Sequence, residues 1–223
     1  MVIDLVIDYM MLVVLSVSAV AMVVWYFRKR KELIKFLRDI VEELEDVFKP
    51  DDKVYELLGY LVGFKAKYKL SRSSSALNAY ATLTTTPEYS LLYYPIAKLM
   101  SRKNTLAIAV EFRDGLSRDL HIIRSDIKRL ERRLRIDVEN LDKMRVKNIK
   151  FSDKSYIAYY LSEGDVDLIL NELSNSELSI FQLSLFSSKN LVLVLVEAKR
   201  GVVKPTYKLI NTIYSKISKS RGR

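Results

Sequence analysis

LSIFQLSLFSSKNLVLVLVEA, residues 178–198, is the stretch whose reading decides the fold. Its two apolar runs, Leu178–Phe186 and Leu191–Ala198, are rich in Val, Leu, Ile and Phe and are split by a short polar link, the pattern of a β-hairpin. Leu191–Val196 is apolar at every position, which predicts a central strand covered on both faces. The class expected from this hairpin is α+β with a largely antiparallel sheet.

Two more hairpins are predicted upstream. Tyr60–Leu70 pairs with Ala76–Thr85 across the serine-rich turn Ser71–Ser75. In its first strand Tyr60, Val62, Phe64, Ala66 and Tyr68 alternate with Lys65, Lys67 and Lys69. Thr105–Arg113 is expected to pair with Leu120–Arg124, turning near Asp114-Gly115. Helices are predicted near 51–59, from Pro87 to Arg102 with a kink at Pro95, and from Ser125 through the apolar positions Ile127, Leu130, Leu134, Val138 and Leu141. Arg145–Ser152 reads as a linker, followed by helices over 153–162 and 165–174 on either side of Gly164. Pro205 opens a closing helix to about Ser218. The whole suggests a hairpin followed by a helix, three times over.

The N-terminus adds an anchor. Tyr9 to Phe27 is nineteen residues without a charge, roughly 28 Å as a helix and so about the thickness of a bilayer's hydrocarbon core. Tyr9 at one end and Trp25, Tyr26 and Phe27 at the other suit the membrane interface. Asp4 and Asp8 precede the run and Arg28, Lys29, Arg30 and Lys31 follow it, the opposite of a signal peptide. The positive-inside rule then leaves the N-terminus outside and residues 28–223 in the cytoplasm. The expected division is a short extracytoplasmic N-terminus (1–8), a single transmembrane helix (9–27) and a juxtamembrane amphipathic helix (28–50). A cytoplasmic α+β domain (51–215) and a basic tail (216–223) complete it, in a single-pass protein of the cell membrane. Residues 31–48 carry apolar positions 33, 37, 40, 44 and 47, ended by Lys49-Pro50. The acidic run Glu42, Glu43, Glu45 and Asp46 reads as the solvated face of that helix.

Composition excludes more than it proposes. The chain has no cysteine and a single histidine, so disulfides, thiolate zinc sites and multi-histidine metal centres are out. Its six glycines fit neither the P-loop nor the G-x-G-x-x-G spacing. His121, in the strand LHIIR, has no acidic or hydroxyl partner at a suggestive spacing and reads as a packing or surface residue. Asp165-Val-Asp167 follows Gly164 and reads as first-turn acids of a helix rather than a metal motif. No catalytic residue, metal or cofactor is expected, and no enzyme.

The charge is more informative. Thirty-seven Lys and Arg against 27 Asp and Glu leave a net +10, which implies polyanionic surroundings. Three clusters carry it. Lys199, Arg200, Lys204, Lys208, Lys216, Lys219, Arg221 and Arg223 run to the C-terminus without an acid. Lys128, Arg129, Arg132, Arg133 and Arg135 lie on the helix after Ser125, and Lys65, Lys67 and Lys69 line a strand with Arg72 at its turn. Such residues suit phosphate contact without base readout, and the aromatic RNA-recognition signature is absent.

The order of elements resembles the calumin family. A single membrane helix with its N-terminus outside and a juxtamembrane helix lead into TPEYSLLYYPIAKLMSRKNTLAIAVEF, then IKRLERRLRIDVENL, LSIFQLSLFSSKNLVLVLVEAKRG and the closing YKLINTIYSKISKS. The likeness spans roughly residues 10–219 as a pattern of hairpins and helices. Calumin is the ribosome-associated, coiled-coil-containing subunit of the PAT complex of the multipass translocon. The resemblance implies a non-enzymatic factor binding the large-subunit rRNA of translating ribosomes beside the Sec channel and neighbouring insertion factors, a membrane-protein chaperone with no small-molecule substrate. It implies an rRNA-facing role for the closing helix and tail. The 128–135 cluster and the lysine strand are assigned to anion binding on their charge alone. The acidic luminal segment of that family has no counterpart here, so calcium binding is not carried over, and its charged C-terminal tail is reduced to Lys216–Arg223. A compact, cysteine-free form fits an archaeal relative. The alternative is a membrane-tethered scaffold whose basic domain binds anionic lipid or a cytoplasmic protein.

Overall fold

A computed structural model of the chain describes residues 2–89, 96, 99, 103–116, 118–138, 141–151 and 153–219. Its first element, α1 (Val2–Phe48), is one unbroken helix of 47 residues, roughly 70 Å long. The sequence divides this stretch in two, yet the helix runs through Phe27 and Arg28 without a break. Only the surroundings change along it. The N-terminal part is apolar with no residue of its most hydrophobic 18-residue window buried. Toward the other end Ile40, Leu44 and Phe48, four apart, form a stripe with almost no solvent exposure. Lys49 then takes a left-handed conformation (φ 42°) and its N–H returns to the Glu45 carbonyl at 2.8 Å, a C-terminal cap made decisive by Pro50.

Nine strands follow, all antiparallel, in one sheet of order β1-β2-β3-β4-β9-β8-β5-β7-β6. They are β1 (Asp52–Leu57), β2 (Gly63–Lys69), β3 (Ala76–Thr84), β4 (Thr105–Phe112), β5 (Leu120–Arg124), β6 (Arg145–Phe151), β7 (Lys154–Tyr160), β8 (Ile180–Phe186) and β9 (Leu191–Glu197). Among the described residues three further α-helices are α2 (Lys128–Asp137), α3 (Glu163–Ser174) and α4 (Val203–Lys219). The 60–70/76–85 and 178–186/191–198 hairpins form as the sequence predicts, and β9 is central, between β4 and β8. Its Val192, Val194 and Val196 are buried, whereas Leu191, Leu193 and Leu195 on the other face are only half covered.

Several expectations are corrected. Residues 51–59 hold the edge strand β1 instead of a short helix. DKVYEL is too short to persist as a helix alone, whereas as a strand it satisfies the ladder of β2. Residues 145–160 are the hairpin β6–β7, not a linker and a helix. Tyr156, Ile157, Tyr159 and Tyr160 are strand formers, and Asp153 turns the chain at φ 60°. Gly164 lies inside the first turn of α3 rather than between helices. Thr105–Arg113 and Leu120–Arg124 do not pair with each other: β8–β9 wedges between β4 and β5. Asn190, left-handed at φ 50°, fastens that crossing. Its carbonyl accepts from Phe112 N–H at 2.9 Å and its side-chain oxygen from Leu116 N–H at 3.1 Å. With the second hairpin gone, the threefold hairpin–helix pattern goes too. The helix expected over 87–102 falls mostly outside the described residues.

Register fixes two faces. Phe64–Leu83–Leu106–Val196 and Ala66–Ala81–Ile108–Val194–Leu183–Ile122–Ala158 are rows of the core face. The end of α1 with α3 and α4 covers this face. Phe112 stacks on Tyr214 of α4 with ring centroids 3.7 Å apart, and Phe48 of α1 lies 5.5 Å from Tyr68 of β2. On the opposite face α2 packs over β5 and β7, where Leu134 meets Ile123, Leu141, Met144 and Tyr159.

Gly63 at the start of β2 is required by two facts. Its φ is +141°, and a Cβ there would sit 1.9 Å from the Leu83 carbonyl oxygen. Gly63→Ala is expected to cost at least about 2 kcal/mol. Urea unfolding of the detergent-solubilised chain checks this, and an unchanged midpoint would refute it.

Candidate anion-binding surfaces

The lysine strand belongs to the outer face of the sheet. Lys65, Lys67 and Lys69 alternate with buried Phe64, Ala66 and Tyr68 and point to solvent, as their spacing requires. What the sequence reading lacked was β1 beside them. In register, Glu56 stands opposite Lys65 and Asp52 opposite Lys69, and the Lys65 ammonium lies 3.7 Å from the Glu56 carboxylate. Lys67 sits over the Tyr80 ring at 5.8 Å. This face is therefore zwitterionic rather than uniformly basic, with exposed Arg72 at the turn beyond it.

The α2 cluster is the strongest concentration of unopposed charge. Leu130, Leu134 and Val138 turn inward, which leaves Lys128, Arg129, Arg132 and Arg133 exposed. None of the four makes an ion pair among the described residues. Arg135 differs: it bridges Glu131 at 3.1 Å and Asp142 at 3.2 Å. Outer-face rows run from Lys67 through Tyr80, Ala109, Leu193, Ser184 and His121 to Tyr159 beneath α2. The lysine strand and α2, which lies over β5 and β7, thus share one side of the sheet, five to six strand spacings or roughly 24–29 Å apart.

The closing cluster lies on the other side, and much of it faces inward electrostatically. Arg200 pairs with Asp39 of α1 at 2.7 Å, Lys199 with Glu197 at 3.4 Å, and Lys216 with Glu172 of α3. Glu43 accepts the Gly201 N–H at 2.6 Å. Lys204 and Lys208 remain exposed and make no ion pair among the described residues. Clefts of about 790 Å³ and 490 Å³ flank the first turns of α4, toward α1 and α3 respectively. Each mixes acids with bases: Glu43, Asp46, Lys49 and Lys204 line one, Glu172, Glu177, Arg200 and Lys208 the other. The side chain of Lys219, and all of Arg221 and Arg223, lie outside the described residues.

The acidic run of α1 is corrected by the same contacts. Glu45 accepts from Lys53 at 2.7 Å and from the Tyr55 hydroxyl, which hold its carboxyl below the usual range, Lys53 foremost. Glu43 and Asp39 hold the loop before α4. Only Glu42 and Asp46 are exposed as expected of a solvated face. Sequence alone carries no signal for pairs more than 150 residues apart. Burial pushes the Tyr68 hydroxyl up to about 12, beside Tyr55 at 3.2 Å.

Among the described residues no three His, Cys, Asp or Glu side chains come together where they could hold a metal ion. Asp165 is in the first turn of α3, bonded to Arg118 at 2.9 Å. His121 is fully buried, 5.1 Å from the Phe186 ring, with neither ring nitrogen hydrogen-bonded among the described residues. Burial lowers its pKa to about 4, against a weaker opposing pull from Asp119. An unfolded histidine titrates near 6.5, so the unfolded state binds more protons in between. Buried and neutral, His121 costs folding nothing above about pH 6.5, whereas below it a penalty growing to roughly 3 kcal/mol sets in as pH falls toward 4. His121→Leu is expected to flatten the pH dependence of the unfolding midpoint over that interval without lowering stability at pH 7. Parallel pH profiles for the two proteins would rule this out.

No known family model and no curated protein matches the sequence.

Proposed function

We propose that the chain is a single-pass membrane protein whose basic domain faces the cytoplasm, docks on ribosomes beside the Sec channel and assists insertion of multi-spanning membrane proteins, with no chemistry of its own. The observation that carries the membrane part is α1. Its 18-residue apolar window has a mean hydropathy of 2.3 and is wholly unburied, while the same helix contributes Ile40, Leu44 and Phe48 to the core. A core helix of a soluble protein would bury the apolar window itself. Arg28–Lys31 at the domain end orient the domain inward by the positive-inside rule.

The ribosome is favoured by the resemblance to calumin and by α2. Lys128, Arg129, Arg132 and Arg133 form an exposed basic ladder with no ion pair among the described residues, Glu131 within it being taken by Arg135, and such free cations suit phosphate contact. Lys204 and Lys208 add a smaller patch on the opposite side. Lys199, Arg200 and Lys216 are committed to intramolecular pairs and contribute less.

Pelleting of ribosomes through a sucrose cushion with the detergent-solubilised full chain, at rising salt, tests the reading. Cosedimentation at low salt is expected, with replacement of Lys128, Arg129, Arg132 and Arg133 by alanine reducing the log–log salt slope by about 3. Replacing Lys216, Lys219, Arg221 and Arg223 measures the tail in the same assay. No pelleting at any salt would remove the ribosome and leave a lipid or protein scaffold.

A further inference from the structure

The turn between β1 and β2 reaches back along α1 to the end of its apolar stretch. The Tyr60 hydroxyl lies 3.1 Å from that of Tyr26, and Arg30 sits over the Tyr60 ring at 5.7 Å. From the other side, Trp25 Nε1 donates to the Glu88 carbonyl at 3.3 Å, and Tyr26 meets Tyr89 edge to face at 6.1 Å. The turn and residues 85–89 are also tied to each other. Thr85 N–H donates to the Val62 carbonyl at 2.8 Å, and its hydroxyl to the Leu61 carbonyl at 2.8 Å. Left-handed Leu61 (φ 55°) and the positive φ of Gly59 and Gly63 hold the turn in that shape.

This end of the domain presents apolar side chains to solvent. Leu57 is 79% exposed, Tyr60 57% and Val62 40%. A soluble surface would not concentrate them in one small turn. They stand level with Trp25, Tyr26 and Phe27, where amphipathic rings mark a membrane interface, and beside Arg28–Lys31, whose charge complements anionic headgroups.

We propose that the β1–β2 turn, Leu57–Val62, is a second membrane contact. It rests in the headgroup layer of the bilayer that α1 crosses, so that the domain lies against the membrane instead of swinging beneath it. The occupant is lipid, because the patch is continuous with the apolar surface of α1 and adjoins its basic flank. The inference rests on the membrane reading of α1. It adds a fixed pose: the β1–β2 turn meets α1 at Tyr26 and β2 meets it at Phe48, with the lysine face turned away from the helix.

The chain has no cysteine, so one introduced residue takes one label. Leu57→Cys, Val13→Cys and Lys204→Cys in the full chain would each carry an environment-sensitive fluorophore, in vesicles of phosphatidylcholine and phosphatidylglycerol with nitroxide-bearing lipids. Lys204 adjoins α1 near Glu43 and Asp46, roughly 24 Å beyond Phe27, and serves as the distant site. The expected result is a blue shift and loss of emission at 57 with a headgroup-proximal nitroxide, the same at 13 with a deep one, and neither at 204. Quenching at 13 without quenching at 57 would overturn the second contact while leaving the anchor. A blue-shifted but unquenched label at 57 would also overturn it, by assigning the patch to another copy of the chain. Quenching at 204 would overturn the pose, and an unquenched label at 13 would remove the anchor and the contact together.

Discussion

Everything in this molecule depends on the burial of the last third of α1. Ile40, Leu44 and Phe48 sit in the core face of the sheet, and Phe48 touches both Tyr68 of β2 and Tyr207 of α4. Around that stripe the helix is held by polar contacts on two sides. Glu45 reaches Lys53 and Tyr55 on β1, while Asp39 and Glu43 reach Arg200 and Gly201 before α4. The exposed ion pairs contribute little individually. Their directions matter more, because they fix the rotation of α1 about its axis. Since the helix is continuous, its orientation at residue 45 dictates where Trp25 and Tyr26 point.

That coupling carries the functional consequence. A flexible linker between an anchor and a domain would let basic surfaces sample every direction. An unbroken helix docked along its side does not. In the membrane reading, α2 and the lysine strand then keep a fixed bearing to the bilayer, as a partner held beside a channel requires. Stiffness comes from helical geometry together with the aromatic contacts of Tyr60 and Tyr89 at the far end.

The distribution of charge follows a similar economy. Of the described basic residues in the closing cluster, those nearest α1 and α3 are spent on holding helices together, and Lys204 and Lys208 are the exposed ones without an ion pair among the described residues. On α2 the reverse holds: its apolar stripe packs through Leu134 and its neighbours, Arg135 is spent on Glu131 and Asp142, and Lys128, Arg129, Arg132 and Arg133 are left to solvent. A basic run is therefore a binding surface only where the fold supplies no acid across from it.

Patterns of short range were legible in the chain itself. The hydrophobic run of α1, its stripe at 40, 44 and 48, the alternation of Lys65, Lys67 and Lys69 with Phe64, Ala66 and Tyr68, the β8–β9 hairpin and the amphipathic α2 all follow from side-chain periods of 3.6 and 2. Tertiary structure alone decided three things. It turned DKVYEL and the 145–160 segment into strands, because a short segment takes the state that satisfies its neighbours' hydrogen bonds. It inserted β8–β9 between β4 and β5, because the apolar β9 is best buried with a strand on each side. It also determined which cations are neutralised, since Asp39 and Arg200 meet only after the chain has closed over the sheet. Periodicity is a local property of the backbone, whereas strand order and charge pairing are settled by which distant surfaces exclude water together.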